Sequence, residues 1–127
     1  MKRLVTIGVL LTLMTASAAN LPCSIHPKKG TPAGDLSALA KISLAQAQQT
    51  ALTRIKAPST SNVGEGELEV EGGCLVYSFD IRIPGKSGIE EVIVDAGTGK
   101  VLSHKHESAR QEAAEQAKDN AAKGKGQ

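Results

Sequence analysis

The alternation from Leu75 to Ile83 constrains this chain more than any other feature. Leu75, Tyr77, Phe79, Ile81 and Ile83 occupy every second position, with Val76, Ser78, Asp80 and Arg82 between them. Successive side chains of a strand point to opposite faces, so the stretch is a strand with one apolar side. It carries the only tyrosine and the only phenylalanine of the 127 residues. Whatever core the chain builds is expected against that side, and the remaining segments are expected to cover it.

The flanking segments supply partners for this strand. Glu67-Leu68-Glu69-Val70-Glu71 alternates strictly, and Gly72-Gly73 tolerates positive φ, so the two stretches should form a hairpin. Pro84 to Gly88 is a second turn and Ile89 to Val94 a third strand. Asp95-Ala96-Gly97-Thr98-Gly99 then turns into a short fourth strand at Lys100-Val101-Leu102. Sequential hairpins make antiparallel pairing the default. Upstream, Ser43-Leu44-Ala45-Gln46 is a capping box, with Ile42 placed to staple against Ala47. Leu44, Ala47, Ala51, Leu52 and Ile55 trace a helical stripe, and Pro58 is expected to end the helix after Ala57. The fold class is therefore α+β, a three- to four-stranded antiparallel sheet with one main helix on one face.

The ends of the chain differ in character. Lys2 and Arg3 precede the apolar run Leu4 to Met14, and Ala16-Ser17-Ala18 is a small-residue cleavage site, so residues 1–18 read as a signal peptide cut after Ala18 or Ala19. The apolar run is too short for a membrane span, and the mature chain is expected in the periplasm or medium without stable membrane insertion. Asn20-Leu21-Pro22 before Cys23 lacks the small residues of a lipid-attachment site. Residues 19–39 form an arm with Pro22, Pro27, Pro32, Gly30 and Gly34, expected to run extended, with Cys23 its one fixed point and His26 solvated. Asp35 to Lys41 is expected as a short turn or helix before the folded unit of residues 40–104, and Ser59 to Gly66 as a polar linker. Residues 105–127 form an alanine- and charge-rich tail, helical by propensity but without a large apolar residue after Glu107.

Removing residues 1–18 takes Lys2 and Arg3 and no acid from fifteen Lys plus Arg and thirteen Asp plus Glu, which leaves the mature chain balanced. Nucleic-acid affinity needs clustered positive charge to neutralise phosphates, and that class is excluded. Charge is unevenly placed, with eight acids between Glu65 and Asp95 and five bases against Asp35 in residues 19–58. Cys23 and Cys74 enter an oxidising compartment, where they are expected to pair with each other, the alternatives being two separate thiols or pairing between chains. An internal bond would close a loop of about fifty residues and contribute roughly 4 kcal/mol in the chain-entropy model.

The only cluster of metal-competent side chains in the sequence is His104-Lys105-His106-Glu107. On a strand His104 and His106 share a face, as two imidazoles reaching one ion must, although two His and one Glu are too few for a closed site. Glu67, Glu69 and Glu71 project from the outer side of their strand, where an exposed face should shift their pKa values little. Ser78, His104 and Asp95 could be named as a triad, but no nucleophile-elbow or oxyanion-loop signal accompanies them. No catalytic residue and no cofactor is assigned, and the chain is not expected to be an enzyme.

The capped helix Ile42-Ser43-Leu44-Ala45-Gln46-Ala47, the central strand Tyr77-Ser78-Phe79-Asp80-Ile81 and the segment Val92-Ile93-Val94-Asp95-Ala96-Gly97-Thr98-Gly99-Lys100-Val101-Leu102 together resemble the PepSY domain family. The resemblance covers roughly residues 40–104, and its most specific piece is Val-Asp-Ala-x-Thr-Gly-Lys-Val-Leu. PepSY domains occur in propeptides of thermolysin-like secreted metallopeptidases and as single exported modules. The resemblance implies a small helix-on-sheet unit that restrains a peptidase or binds another envelope protein. The sequence holds no His-Glu-x-x-His, so a peptidase partner is expected on a separate chain. The alternative is a small-ligand or metal-binding envelope protein using His104, His106 and the face around Cys74.

Overall fold

In a computed structural model, which describes residues 22–56, 60–64 and 66–124, the alternating stretch lies in the middle of an antiparallel sheet. This strand, β3 (Cys74–Arg82), pairs along one edge with β1 (Asn62–Val63) and β2 (Glu67–Glu71). Its other edge pairs with β4 (Ile89–Asp95), which in turn pairs with β5 (Val101–Glu107). The order β1/β2, β3, β4, β5 makes the sheet four strands wide, as the hairpin pattern implies. Gly72 and Gly73 have φ of 55° and 81°, and two successive positive values make the tight β2–β3 turn that follows the right-handed strand twist.

Register settles which side chains share a face. Tyr77 lies opposite Val94, Phe79 opposite Val92 and Ile81 opposite Glu90, so these six side chains share one side of the sheet. Helix α2 (Leu44–Leu52) lies across that side with Ala47 and Ala51 fully buried. The short side chains let helix and sheet approach closely, and the large ones of β3 and β4 fill the gap between them. Burial of each Phe, Leu or Ile side chain is worth about 1.5–3 kcal/mol, so the alternate positions Leu75, Tyr77, Phe79 and Ile81 of β3 anchor the domain. The capping box forms: Gln46 N–H donates to Ser43 Oγ at 3.2 Å, and Ser43 N–H donates to Gln46 Oε1 at 2.9 Å. Tyr77 Oη donates to the Ile42 carbonyl at 2.8 Å, and Lys41 N–H donates to the Ala96 carbonyl at 2.9 Å, so the helix entrance is tied to two parts of the sheet region.

Several expectations change in physically instructive ways. Leu44, placed on the buried stripe by spacing, is 42% exposed, because Ala47, Ala51 and Ile55 make the contact with the sheet. The helix ends at Leu52, before the proline. Arg54 and Ile55 then donate to Ala51 and Leu52, three residues back, and this tighter winding is followed by Ile55 in the core. The polar linker contributes β1, with Gly64 N–H donating to the Asp80 carbonyl at 2.8 Å. The fourth strand continues to Glu107 rather than stopping at Leu102.

The arm is held at more than its cysteine. Ser24 N–H and Oγ donate to Asp95 at 3.2 and 3.0 Å, and Leu75 N–H donates to the Ile25 carbonyl at 3.0 Å. Gly97 must be bare, since a Cβ there would lie 2.0 Å from Ser24 Oγ. Beyond the arm, α1 (Ala33–Leu39) starts two residues earlier than the expected turn and buries Leu36. The tail forms α3 (Ala109–Gly124), started by a second capping box between Ser108 and Gln111, with no buried residue. The signal peptide, the Pro58 stop and residues 125–127 lie outside the described residues. Among the described residues, no helix is long and apolar enough to cross a membrane.

Candidate functional site

Four chemically distinct places emerge from the sheet. The first is at the end of the helix-covered face, beyond the C-terminus of α2, where Glu90 occupies a position in line with Val92 and Val94. Only 6% of this glutamate is exposed. Lys86 Nζ donates to Oε1 at 2.5 Å, His106 Nδ1 meets Oε1 at 2.9 Å and His104 Nε2 meets Oε2 at 2.9 Å. Burial pushes the Glu90 carboxyl up, but the hydrogen bonds from Lys86, His104 and His106 outweigh it and bring the pKa down to about 2. The carboxylate is therefore ionised and accepts only, which makes the facing ring nitrogens the N–H donors.

This arrangement redistributes the histidine cluster seen in the sequence. His104 and His106 share a face, as their spacing requires, but Glu107 projects to the opposite side and Glu90 takes its place between them. Both imidazoles are aimed at one carboxylate rather than at a shared ion. Spacing within β4 could have indicated Glu90, because its parity matches Val92 and Val94. Beside the cluster lies a cavity of 270 Å³ with Ile55 and Ile83 among its lining and Arg54, Lys56 and Lys86 contributing positive charge.

The second place is the outer face, where carboxylates crowd. Glu91 is opposite Asp80 on β3 and Lys105 on β5. Burial, then repulsion from Glu107, Glu71, Asp80 and Glu115, raises the Glu91 pKa to about 7. Glu69, Asp80 and Glu107 are also raised, each first by burial and then by neighbouring acids, although Ser78 donates to Glu69 and Arg82 opposes the shift of Asp80. The expectation that the outer side of β2 would shift its acids little is thus corrected at Glu69. Helix α3 brings Glu112 and Glu115 into the same field, with Arg82 paired to Glu112. Negative charge accumulates here because strand alternation aims Glu67, Glu69, Glu71, Asp80, Glu91 and Glu107 to the same side.

The third place is the turn after β4. Asp95 is 2% exposed and accepts from Ser24 N–H and Oγ, from Gly97 N–H at 3.1 Å and from Thr98 Oγ1 at 2.7 Å. Burial raises its pKa, and the bonds from Thr98, Gly97 and Ser24 more than reverse that. Asp95 and Thr98 of the Val-Asp-Ala-x-Thr-Gly segment are therefore committed to closing a turn and holding the arm. The triad that could be named from sequence is dispersed: Ser78 is on the outer face with Glu69, His104 is on the inner face with Glu90, and Asp95 is in this turn.

The fourth place is the disulfide. Cys23 and Cys74 are bonded, with Cα atoms 5.8 Å apart, and their side chains join Val76, Ile93 and Leu102 in a small second core on the outer face. That face is thus apolar at this end and rich in acids beyond it. His26, expected to be solvated, is exposed, yet its ring nitrogens lie 3.7 and 3.8 Å from Cys23 Sγ.

No curated protein and no solved structure matches the chain. A family model does, the PepSY model described as "Peptidase propeptide and YPEB domain", over residues 41–105. The matched span starts just before the capping box of α2 and runs into β5, so it coincides with the helix-on-sheet unit described above. The capped helix, the central strand and the Asp95–Thr98 turn that carry the resemblance all lie within this span, and over slightly more than half its length this chain belongs to the PepSY family, a family of peptidase-propeptide modules that are in general not catalytic.

Proposed function

We propose that the chain is an exported, non-catalytic PepSY module that binds and restrains a peptidase, or another protein of the cell envelope, in trans. The observation that carries this reading is the family match over the α2–β5 unit. Two features support it. The polar groups of Asp95 and Glu90 are saturated by structural hydrogen bonds, which leaves the folded unit to act through its surface. The outer face holds Glu69, Asp80, Glu91 and Glu107 together against their mutual repulsion, and a basic partner surface would relieve it. The export step in this reading rests on the Lys2-Arg3, Leu4–Met14 and Ala16-Ser17-Ala18 pattern, and the disulfide is in keeping with it.

The test begins with the mature protein immobilised and exposed to the envelope and culture fluid of its own source. A peptidase should be retained, and the purified module should slow that peptidase on a peptide substrate. Charge-neutralised Glu69→Gln/Glu91→Gln protein should bind it more weakly, with a shallower dependence on salt. Recovery of nothing above background across several growth conditions would overturn the reading. N-terminal sequencing of the exported protein should begin at Ala19 or Asn20, and an intact Met1 in a cytosolic fraction would remove the export step.

A further inference from the structure

The Cys23–His26–Cys74 group has a chemical capacity that the peptidase reading leaves unused. Among the described residues it is the one set of three or more metal-competent side chains whose ligand atoms all lie within 4.8 Å of one another. Two sulfurs and an imidazole form a soft donor set, the kind that selects thiophilic ions such as Cu(I) or Zn(II) over hard cations. We propose that, once the disulfide is reduced, Cys23, Cys74 and His26 form a three-coordinate site for one Cu(I) ion.

The site survives reduction because the arm does not depend on the S–S bond. Ser24 is held by Asp95 through two hydrogen bonds, and Ile25 receives the Leu75 N–H. These are the two residues that follow Cys23, and they are fixed to β4 and β3. Cys23 therefore stays within reach of Cys74, which is buried in the small core with Val76 and Ile93. The imidazole is also at a suitable distance. With metal–nitrogen and metal–sulfur bonds of about 2.0 and 2.3 Å at a trigonal angle, nitrogen and sulfur sit about 3.7 Å apart. His26 Nδ1 lies 3.7 Å from Cys23 Sγ before any metal enters.

The chemistry balances in two steps. A dithiol reductant transfers two electrons and two protons, breaking the Cys23–Cys74 bond and forming its own disulfide. Cu(I) then displaces one proton from each thiol and takes a lone pair from the His26 imidazole, giving a complex with two thiolates and one imidazole. His26 is exposed, so replacing it leaves the fold and the disulfide intact. It is the position that separates a built site from two incidental thiols.

The experiment compares oxidised protein, protein reduced under anaerobic conditions, and reduced His26→Ala, each titrated with Cu(I) against a colorimetric Cu(I) chelator. Reduced protein should bind one equivalent and gain thermal stability, oxidised protein should bind none, and His26→Ala should bind at least tenfold more weakly. Equal affinity of reduced wild type and His26→Ala, or binding without a rise in melting temperature, would overturn the site. A parallel Zn2+ titration should show weaker binding, and Zn2+ binding tighter than Cu(I) would overturn the assignment of the ion. None of these outcomes depends on a peptidase partner, so the site and the inhibitory reading fail separately.

Discussion

Glu90 and Glu91 are neighbours on one strand and live in opposite electrostatic worlds. Glu90 points to the helix side and is nearly buried, yet three donors converge on it and its pKa falls to about 2. Glu91 points to the outer side and is less buried, yet burial and four neighbouring acids raise its pKa to about 7. Burial pushes both carboxyls up, and at Glu90 alone the converging donors outweigh it. What decides is which charges the register delivers to each face, and a strand delivers them with period two.

The same chemical change one residue apart should therefore have opposite effects. Glu90→Gln leaves Lys86 and two imidazole N–H groups without their anion and should destabilise the domain by about 2–3 kcal/mol at neutral pH. Urea unfolding followed by circular dichroism measures this, and a loss below the error of the method would show that the cluster is incidental. Glu91→Gln should stabilise by about 1–2 kcal/mol at pH 8, discounting the shift for screening by solvent. Because the folded pKa of Glu91 lies above its ordinary value, the penalty is absent below about pH 4.5, grows through pH 7 and is complete above it. The gain from Glu91→Gln should accordingly vanish at pH 4, and an equal gain at pH 4 and pH 8 would contradict the raised pKa.

The wild-type profile follows from both residues. Glu90 contributes stability above its ordinary pKa that is lost as pH falls toward 2, and Glu91 subtracts stability as pH rises toward 7. Asp95, lowered, reinforces the acid limb, while Glu69, Asp80 and Glu107, raised, reinforce the other. Melting temperature against pH should peak on the acid side of neutrality, near pH 5, and a maximum at pH 8 would dissolve the contrast between the faces. The smallest effect is expected at the ion pair of Arg82 and Glu112. Arg82 is 57% exposed, so Arg82→Gln should cost about 0.5 kcal/mol, more at low salt than at high. A loss of several kcal/mol would mean that α3 docks more firmly than its lack of buried residues implies.

What could be read before the structure was whatever depends on near neighbours. The Ser43–Gln46 box, the Gly72-Gly73 hairpin and the β3 alternation each involve residues within a few positions of one another. The PepSY resemblance rested on the same local patterns. Glu90 with His104 and His106 was missed because its partners lie 14 and 16 residues away and depend on the β4–β5 register. The knot at Asp95 was missed because Ser24 is 71 residues distant. Helical spacing puts Leu44 on the buried stripe because it gives the phase of a stripe but not the rotation of the helix on the sheet. That rotation was set by the alanines and by the ties of Ile42 and Lys41.

The amino-acid order alone determined that the chain would alternate, cap and turn where it does, because those preferences come from backbone sterics and hydrogen bonds between adjacent residues. Only the tertiary structure decided which carboxylate would be neutralised and which repelled, what the histidines would hold, and that an exposed imidazole would lie beside the disulfide. Coulomb energies and hydrogen bonds act through space, and register brings residues together that the chain keeps far apart.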